Sequence, residues 1–131
     1  MQPTIFADVD NHSTLAREEI FGPVLSIIPF EDESEAVTIS NDTEFGLAAG
    51  MWTNNLARAH RVAGKLNWGT VWINTFRVAA SPTPTGGVGK SGYGRERGLE
   101  GLDAYLRTKN VMIDLSDETT DHFPMDDAVA V

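Results

Sequence analysis

No cysteine occurs in these 131 residues. That excludes disulfides, thiolate metal ligands and a cysteine nucleophile anywhere in the chain. Histidine is scarce as well: His12, His60 and His122 stand apart without metal-ligand spacing, which argues against a zinc site. No apolar run approaches membrane-spanning length, and the first residues lack the zones of a signal peptide, so the soluble cytoplasm is the expected compartment. Positive charge is outnumbered, with 10 Lys and Arg against 19 Asp and Glu, and the net charge of −9 speaks against nucleic acid and anionic membranes as partners. Beyond Lys109 there is no Lys or Arg, whereas Asp114, Asp117, Glu118, Asp121, Asp126 and Asp127 follow. Residues 116–131 therefore read as an acidic, solvated, disordered tail.

What is present suffices for one domain with a modest core, at 41% hydrophobic residues. Residues 4–9 (Thr-Ile-Phe-Ala-Asp-Val) have strand content, and with no hairpin partner following them they read as a strand whose neighbours are missing. Gly22-Pro23 makes a rigid bend that opens an apolar strand from Val24 to Phe30. Glu33 to Asn41 is expected to be a short helix, with acids in its first turn and Ala36, Val37 and Ile39 inward. Leu47 to Thr53 reads as a buried strand. Leu56 to Leu66 has helical spacing, with Leu56, Ala59, Val62, Ala63 and Leu66 on one side. Gly69 to Asn74 is the clearest strand, β-branched and aromatic. A helix over Gly98 to Arg107 and a last alternating strand over Asn110 to Leu115 complete the reading. Strands alternating with helices predict an α/β fold, here a βαβαβ parallel-sheet unit with a separate C-terminal strand.

The stretch from Gly86 to Glu96 (Gly-Gly-Val-Gly-Lys-Ser-Gly-Tyr-Gly-Arg-Glu) is too rich in glycine to be an ordinary connection. It is not a phosphate loop, because Pro84 stands where the first glycine of that motif belongs. Gly87, Gly89 and Gly92 fit the spacing of a dinucleotide fingerprint, but that motif needs a strand ending at its first glycine. Here residues 75–86, with Pro82 and Pro84, intervene after the strand that ends at Asn74.

Five pieces in order carry a resemblance: Pro3-Thr4-Ile5-Phe6, Glu18 to Val24, Phe45-Gly46-Leu47-Ala48-Ala49-Gly50, Gly69 to Asn74, and Gly86 to Glu96. Together, in this order and at these separations, they resemble the C-terminal portion of NAD(P)-dependent aldehyde dehydrogenases, over nearly the whole chain up to about Leu115. The resemblance implies a chain divided into the end of a catalytic domain (1–107), an oligomerisation strand (108–115) and the tail (116–131). Members of that family are several times longer and carry a nucleotide-binding domain, a general-base glutamate and the nucleophilic cysteine upstream. Their chemistry is oxidation of an aldehyde to a carboxylic acid: a thiolate attacks the carbonyl, hydride leaves to the nicotinamide, and water hydrolyses the thioester.

By that resemblance Glu19 would hold the hydroxyls of the nicotinamide ribose, and Phe21 would pack beside the ring. On the residues alone, the simpler reading is a surface Glu19 and a core Phe21. Asn74 would brace the active-site loop, or else cap a turn at a strand end. Residues 75–85 would line the substrate entrance. Family members often carry an aromatic at the position of Ala79 and a Pro-Phe-Gly-Gly run where this chain has Pro84-Thr85-Gly86-Gly87. Small or polar residues at Ala79 and Thr85 imply a wider, more polar pocket, and Arg77 stands close enough in sequence to meet an anionic substrate. Arg95 matches a position that ties the glycine loop to a subunit interface. Glu96 matches a buried carboxylate that relays protons. An Arg-Glu pair anchoring its own loop is the alternative for both.

Without a cysteine or a first domain, the isolated chain is expected to be inactive toward aldehydes. It is expected to form a homo-oligomer or to pair with the missing domains, with NAD or NADP as the cofactor of the assembled enzyme. A non-catalytic subunit that pairs with a full-length homologue is the alternative.

Overall fold

A computed structural model describes residues 1–116. Chain order gives β1 (Thr4–Phe6), α1 (Thr14–Arg17), β2 (Val24–Ser26), α2 (Glu33–Asn41), β3 (Ala48–Met51), α3 (Leu56–Ala63) and β4 (Thr70–Ile73). Two short 3₁₀ segments follow at Gly89–Ser91 and Glu100–Tyr105. The chain is α/β with parallel strands.

The strands pair as two separate sheets rather than as one βαβαβ unit. Strand β1 runs parallel to β2, with Thr4 opposite Val24 and Phe6 opposite Ser26. Strand β3 runs parallel to β4, from Ala48 opposite Thr70 to Met51 opposite Ile73. Strand β1 thus has a neighbour, contrary to its reading as a strand left without one. Its partner lies across a crossover that includes α1, and only the fold reveals such a non-local pairing.

Helix α2 follows the expected bounds for local reasons. Asp32 accepts a hydrogen bond from the Glu35 amide at 2.9 Å, and Glu33 and Glu35 sit in the first turn, where the helix dipole favours them. Helix α3 starts in the same way, with Asn55 accepting from the Arg58 amide at 2.9 Å. It ends at Ala63, short of the expected Leu66. The two helices are clamped by Glu33, which accepts from Arg61 Nε at 2.7 Å and Nη2 at 2.6 Å, and from Arg58 Nε at 3.2 Å. At their other ends the Asn41 amide donates to the Lys65 carbonyl and accepts from the Asn67 amide.

The buried hydrophobic residues among those described are Ala59 and Val62 on α3. Leu56, expected on the inner side of that helix, is 73% exposed. Between α2, α3 and β3 lies an open groove of about 700 Å³, floored by residues such as Ala36, Val37, Ala49 and Val62.

The expected helix over 98–107 is instead the 3₁₀ segment Glu100–Tyr105. Gly98 adopts φ +60°, and Leu99, Leu102 and Tyr105 are exposed. With no surface to pack on, a helical face gains little there. Residues 108–115, expected as a strand, carry no strand within this single chain. The expected tail lies outside the described residues except for Ser116. No helix among the described residues is long and apolar enough to cross a membrane.

Candidate functional site

The sequence-predicted residues fall in three places. The first is the segment between α1 and β2. Glu19 is exposed there and makes no hydrogen bond or ion pair with any described residue. Phe21 is 92% exposed, so it is not a core residue, and its backbone has φ +56°. A left-handed aromatic residue is a strained choice that the surroundings must hold. The bend at Gly22-Pro23 follows, and the Thr4 amide bonds the Pro23 carbonyl at 2.9 Å, which anchors the segment to β1.

The second place is the C-terminal end of β4. The Asn74 backbone has φ +54°, a conformation that Asn tolerates better than most residues. Its side chain accepts from the Thr53 amide at 2.8 Å and donates to the Thr53 carbonyl at 2.9 Å. Asn74 thus braces the turn that leaves β3. That loop is held differently: the Trp72 indole N–H donates to the Val78 carbonyl at 2.8 Å, and the Phe76 ring meets Trp72 edge-on at 5.5 Å. Ala79 lies exposed in the same loop. Arg77 has φ +57° and its guanidinium lies over Phe76.

The third place is the glycine loop. Thr85 and Glu96 form an antiparallel bridge, each amide bonding the other's carbonyl at 2.7 Å. Arg95 Nη1 donates to the Gly87 carbonyl at 2.7 Å and to the Gly94 carbonyl at 2.9 Å. Arg95 therefore ties the loop to itself. Glu96 is exposed in this chain; its backbone, not its carboxylate, is what the bridge uses. A cavity of about 360 Å³ opens between Leu47, Thr85, Ser91 and Arg95.

This loop docks on the N-terminal ends of β3 and β4. The Gly46 carbonyl accepts from both the Gly69 amide at 3.0 Å and the Val88 amide at 3.1 Å. The Gly46 amide donates to Ser91 Oγ at 3.1 Å. Gly69 must be glycine here, because a Cβ would overlap the Gly86 carbonyl oxygen. Since Asn74 lies five residues beyond Gly69, the second and third places stand roughly 16 Å apart along the strand at ~3.3 Å per residue. The structure joins Thr85, Arg95 and Glu96, but leaves Asn74 at the opposite strand end and Glu19 and Phe21 on the other sheet.

Sequence reasoning missed Thr53 and Ser91. Thr53 precedes Asn54-Asn55, a cluster that marks a turn, but nothing local couples it to Asn74. Ser91 was legible only as part of the Gly89-Lys90-Ser91 run.

The model of the aldehyde dehydrogenase family matches residues 1–111. The chain belongs to the aldehyde dehydrogenase family. It is 49% identical over 115 residues to a betaine aldehyde dehydrogenase of Brucella anthropi, covering 88% of this chain and 24% of that protein. A betaine aldehyde dehydrogenase of Sinorhizobium fredii is 50% identical over 113 residues, covering 86% of this chain and 23% of the relative. Among solved structures, betaine aldehyde dehydrogenase from Staphylococcus aureus in complex with NAD+ superposes with a TM-score of 0.88 at 39% identity, over 94% of this chain and 24% of that one. Mycobacterium tuberculosis aldehyde dehydrogenase complexed with NAD+ gives 0.82 at 41% identity, over 91% and 24%. The chain spans about a quarter of the length of these relatives.

Proposed function

We propose that this chain supplies the C-terminal portion of an NAD(P)-dependent aldehyde dehydrogenase, an oxidoreductase that converts an aldehyde to a carboxylic acid, and that it is inactive alone. The family match over 1–111 carries this reading, together with the absence of any cysteine. The order of the five sequence pieces supports the C-terminal position. On this reading residues 1–107 belong to the catalytic domain, 108–115 form an oligomerisation strand once another chain is present, and 116–131 are the tail. The cytoplasm is the proposed compartment.

The residues present suit the nicotinamide-ribose half of the cofactor. Among the described residues Glu19 has no side-chain partner, which leaves both carboxylate oxygens to accept two ribose hydroxyls, and Phe21 offers an exposed ring two residues away. NAD or NADP, when bound, supplies the hydride acceptor. Glu19 would fix the ribose, Phe21 would limit where the ring sits, and Asn74, Ala79 and Thr85 would shape the aldehyde entrance. Glu96 would pass protons at its carboxylate, and Arg95 would reach an interface through the loop that it holds together.

Complementation tests the reading. The purified chain is expected to form no NADH from aldehyde. Mixed with a betaine aldehyde dehydrogenase lacking its C-terminal quarter, it is expected to restore activity. Restoration only of a relative lacking its N-terminal quarter would place the chain at the other end. Activity of the chain alone would overturn the mechanism.

A second reading, a non-catalytic subunit pairing with a full-length homologue, draws on one observation. Residues 106–115 are exposed and form no strand within the described residues, with Val111, Ile113 and Leu115 alternating, a segment suited to an open sheet edge. Failure to co-purify with an intact homologue would remove it.

A further inference from the structure

Among the described residues, the sheet whose two strands flank Glu19 and Phe21 is tied to the rest of the chain by hydrogen bonds and ion pairs at one residue. With Ser116 set apart, every hydrogen bond and ion pair described between residues 1–30 and residues 31–116 ends on Asp42, which caps the C-terminus of α2. Arg17 Nη1 donates to the Asp42 carbonyl at 2.6 Å, and Nη2 pairs with the Asp42 carboxylate. The same carboxylate oxygen accepts from Asn11 Nδ2 at 2.8 Å. Arg17 Nη2 also meets His12 Nδ1 at 3.1 Å; a guanidinium only donates, so that ring nitrogen accepts. Asp10 completes the cluster by accepting from the His12 amide at 2.8 Å.

We infer that Asp42 is a joint that sets the Glu19–Phe21 segment in place against the second sheet, with Arg17 and Asn11 as its two arms. Arg17 is the last residue of α1, two residues before Glu19. From there the backbone is extended at Glu18, so the position of Arg17 carries to the Glu19 backbone two residues on. The functional meaning rests on the proposed cofactor role of Glu19; the joint itself does not. Arg17 and Asp42 are thus positioning residues. Facing the Asp42 carboxylate are the Arg17 guanidinium and the His12 ring, with Asp10 behind them acting on Arg17. Arg17 holds Asp42 below the ordinary carboxylate range, with Asn11 adding to that effect.

The absence of cysteine permits a direct test in the whole 131-residue chain, without cofactor or aldehyde. Glu19→Cys and Asn54→Cys carry spin labels, one beside each sheet, and the distance between them is measured. A narrow distribution at neutral pH is expected, about doubling in width in Asp42→Ala but not in Glu44→Ala, because a released joint frees a hinge. Where Asp42→Ala loses its fold by amide exchange at Ile27 and Asn74, acidification of the parent replaces it. The distribution should then broaden reversibly as pH falls through the depressed range of Asp42, also in a Glu33→Gln, Asp114→Asn background, which removes the other depressed carboxylates among the described residues. A distribution broad from the outset, or one unchanged by both Asp42→Ala and acid, overturns the joint. A sound joint with no effect of Glu19→Gln on NAD+ binding in the complemented enzyme would instead overturn the cofactor role alone.

Discussion

Asn74 extends the β3–β4 ladder with its side chain: its carboxamide pairs with both the N–H and the C=O of Thr53, as a further strand residue would. The pairing lets β4 turn away at φ +54° while the turn that leaves β3 stays satisfied. Asn74→Gly keeps access to that backbone conformation but removes both bonds. It is expected to lower stability by about 1–2 kcal/mol, from two hydrogen bonds at roughly 1 kcal/mol each. The shift should be read as a lower denaturant midpoint at unchanged slope.

Glu33 should make acid stability measurable. Hydrogen bonding and charge from Arg61, and then from Arg58, pull its carboxyl down to about 2 from an ordinary 4.5. A depressed folded-state value means that its stabilisation is complete above the unfolded value and is lost as pH falls through the folded one. Denaturant midpoints measured between pH 5 and pH 2 should therefore decline. Glu33→Gln should remove that part of the decline, and a variant with the parent's full pH dependence would show that the α2–α3 clamp contributes nothing.

The glycine loop offers a paired test. In Gly69→Ala the new methyl meets backbone that cannot swing aside, and a loss of about 1–3 kcal/mol is expected, in the range of overpacked sites. In Gly94→Ala the methyl meets nothing within reach, and a change within about 0.5 kcal/mol is expected. Equal effects of the two would mean that the loop does not rest on the start of β4.

Arg95 is expected to act on the loop before it acts on any interface. Arg95→Ala removes the donor to the Gly87 and Gly94 carbonyls. Amide exchange at Thr85 and Glu96 should accelerate while that at Asn74, at the far strand end, does not. Unchanged exchange across the loop would return Arg95 to a role made only between chains.

Much of this was legible from local chemistry. Helix α2 shows in its acidic first turn, and β4 in its β-branched run. What stayed hidden is relational. Nothing near Thr4 indicates that its partner is Val24, since a parallel crossover separates them. Glu33 with Arg61, and Arg17 with Asp42, are pairs that only the fold brings together. The strained Phe21 was invisible for a different reason: composition favours burying a phenylalanine, and no rule of spacing predicts a left-handed one at the surface. Glu96 shows the limit of a motif, which fixed its place in the loop but not the exposure of its carboxylate.

Among the described residues the buried side chains of the core are only those of Ala59 and Val62, while Tyr93 is 99% exposed and sits in the middle of the most distinctive run of the sequence. In an ordinary domain, selection on packing can be traced by looking inward. In this chain it must be traced on the outside, so a mutational scan scored on the free polypeptide would rank Tyr93 and Phe21 as dispensable. The same scan scored in the complemented enzyme should reverse that ranking.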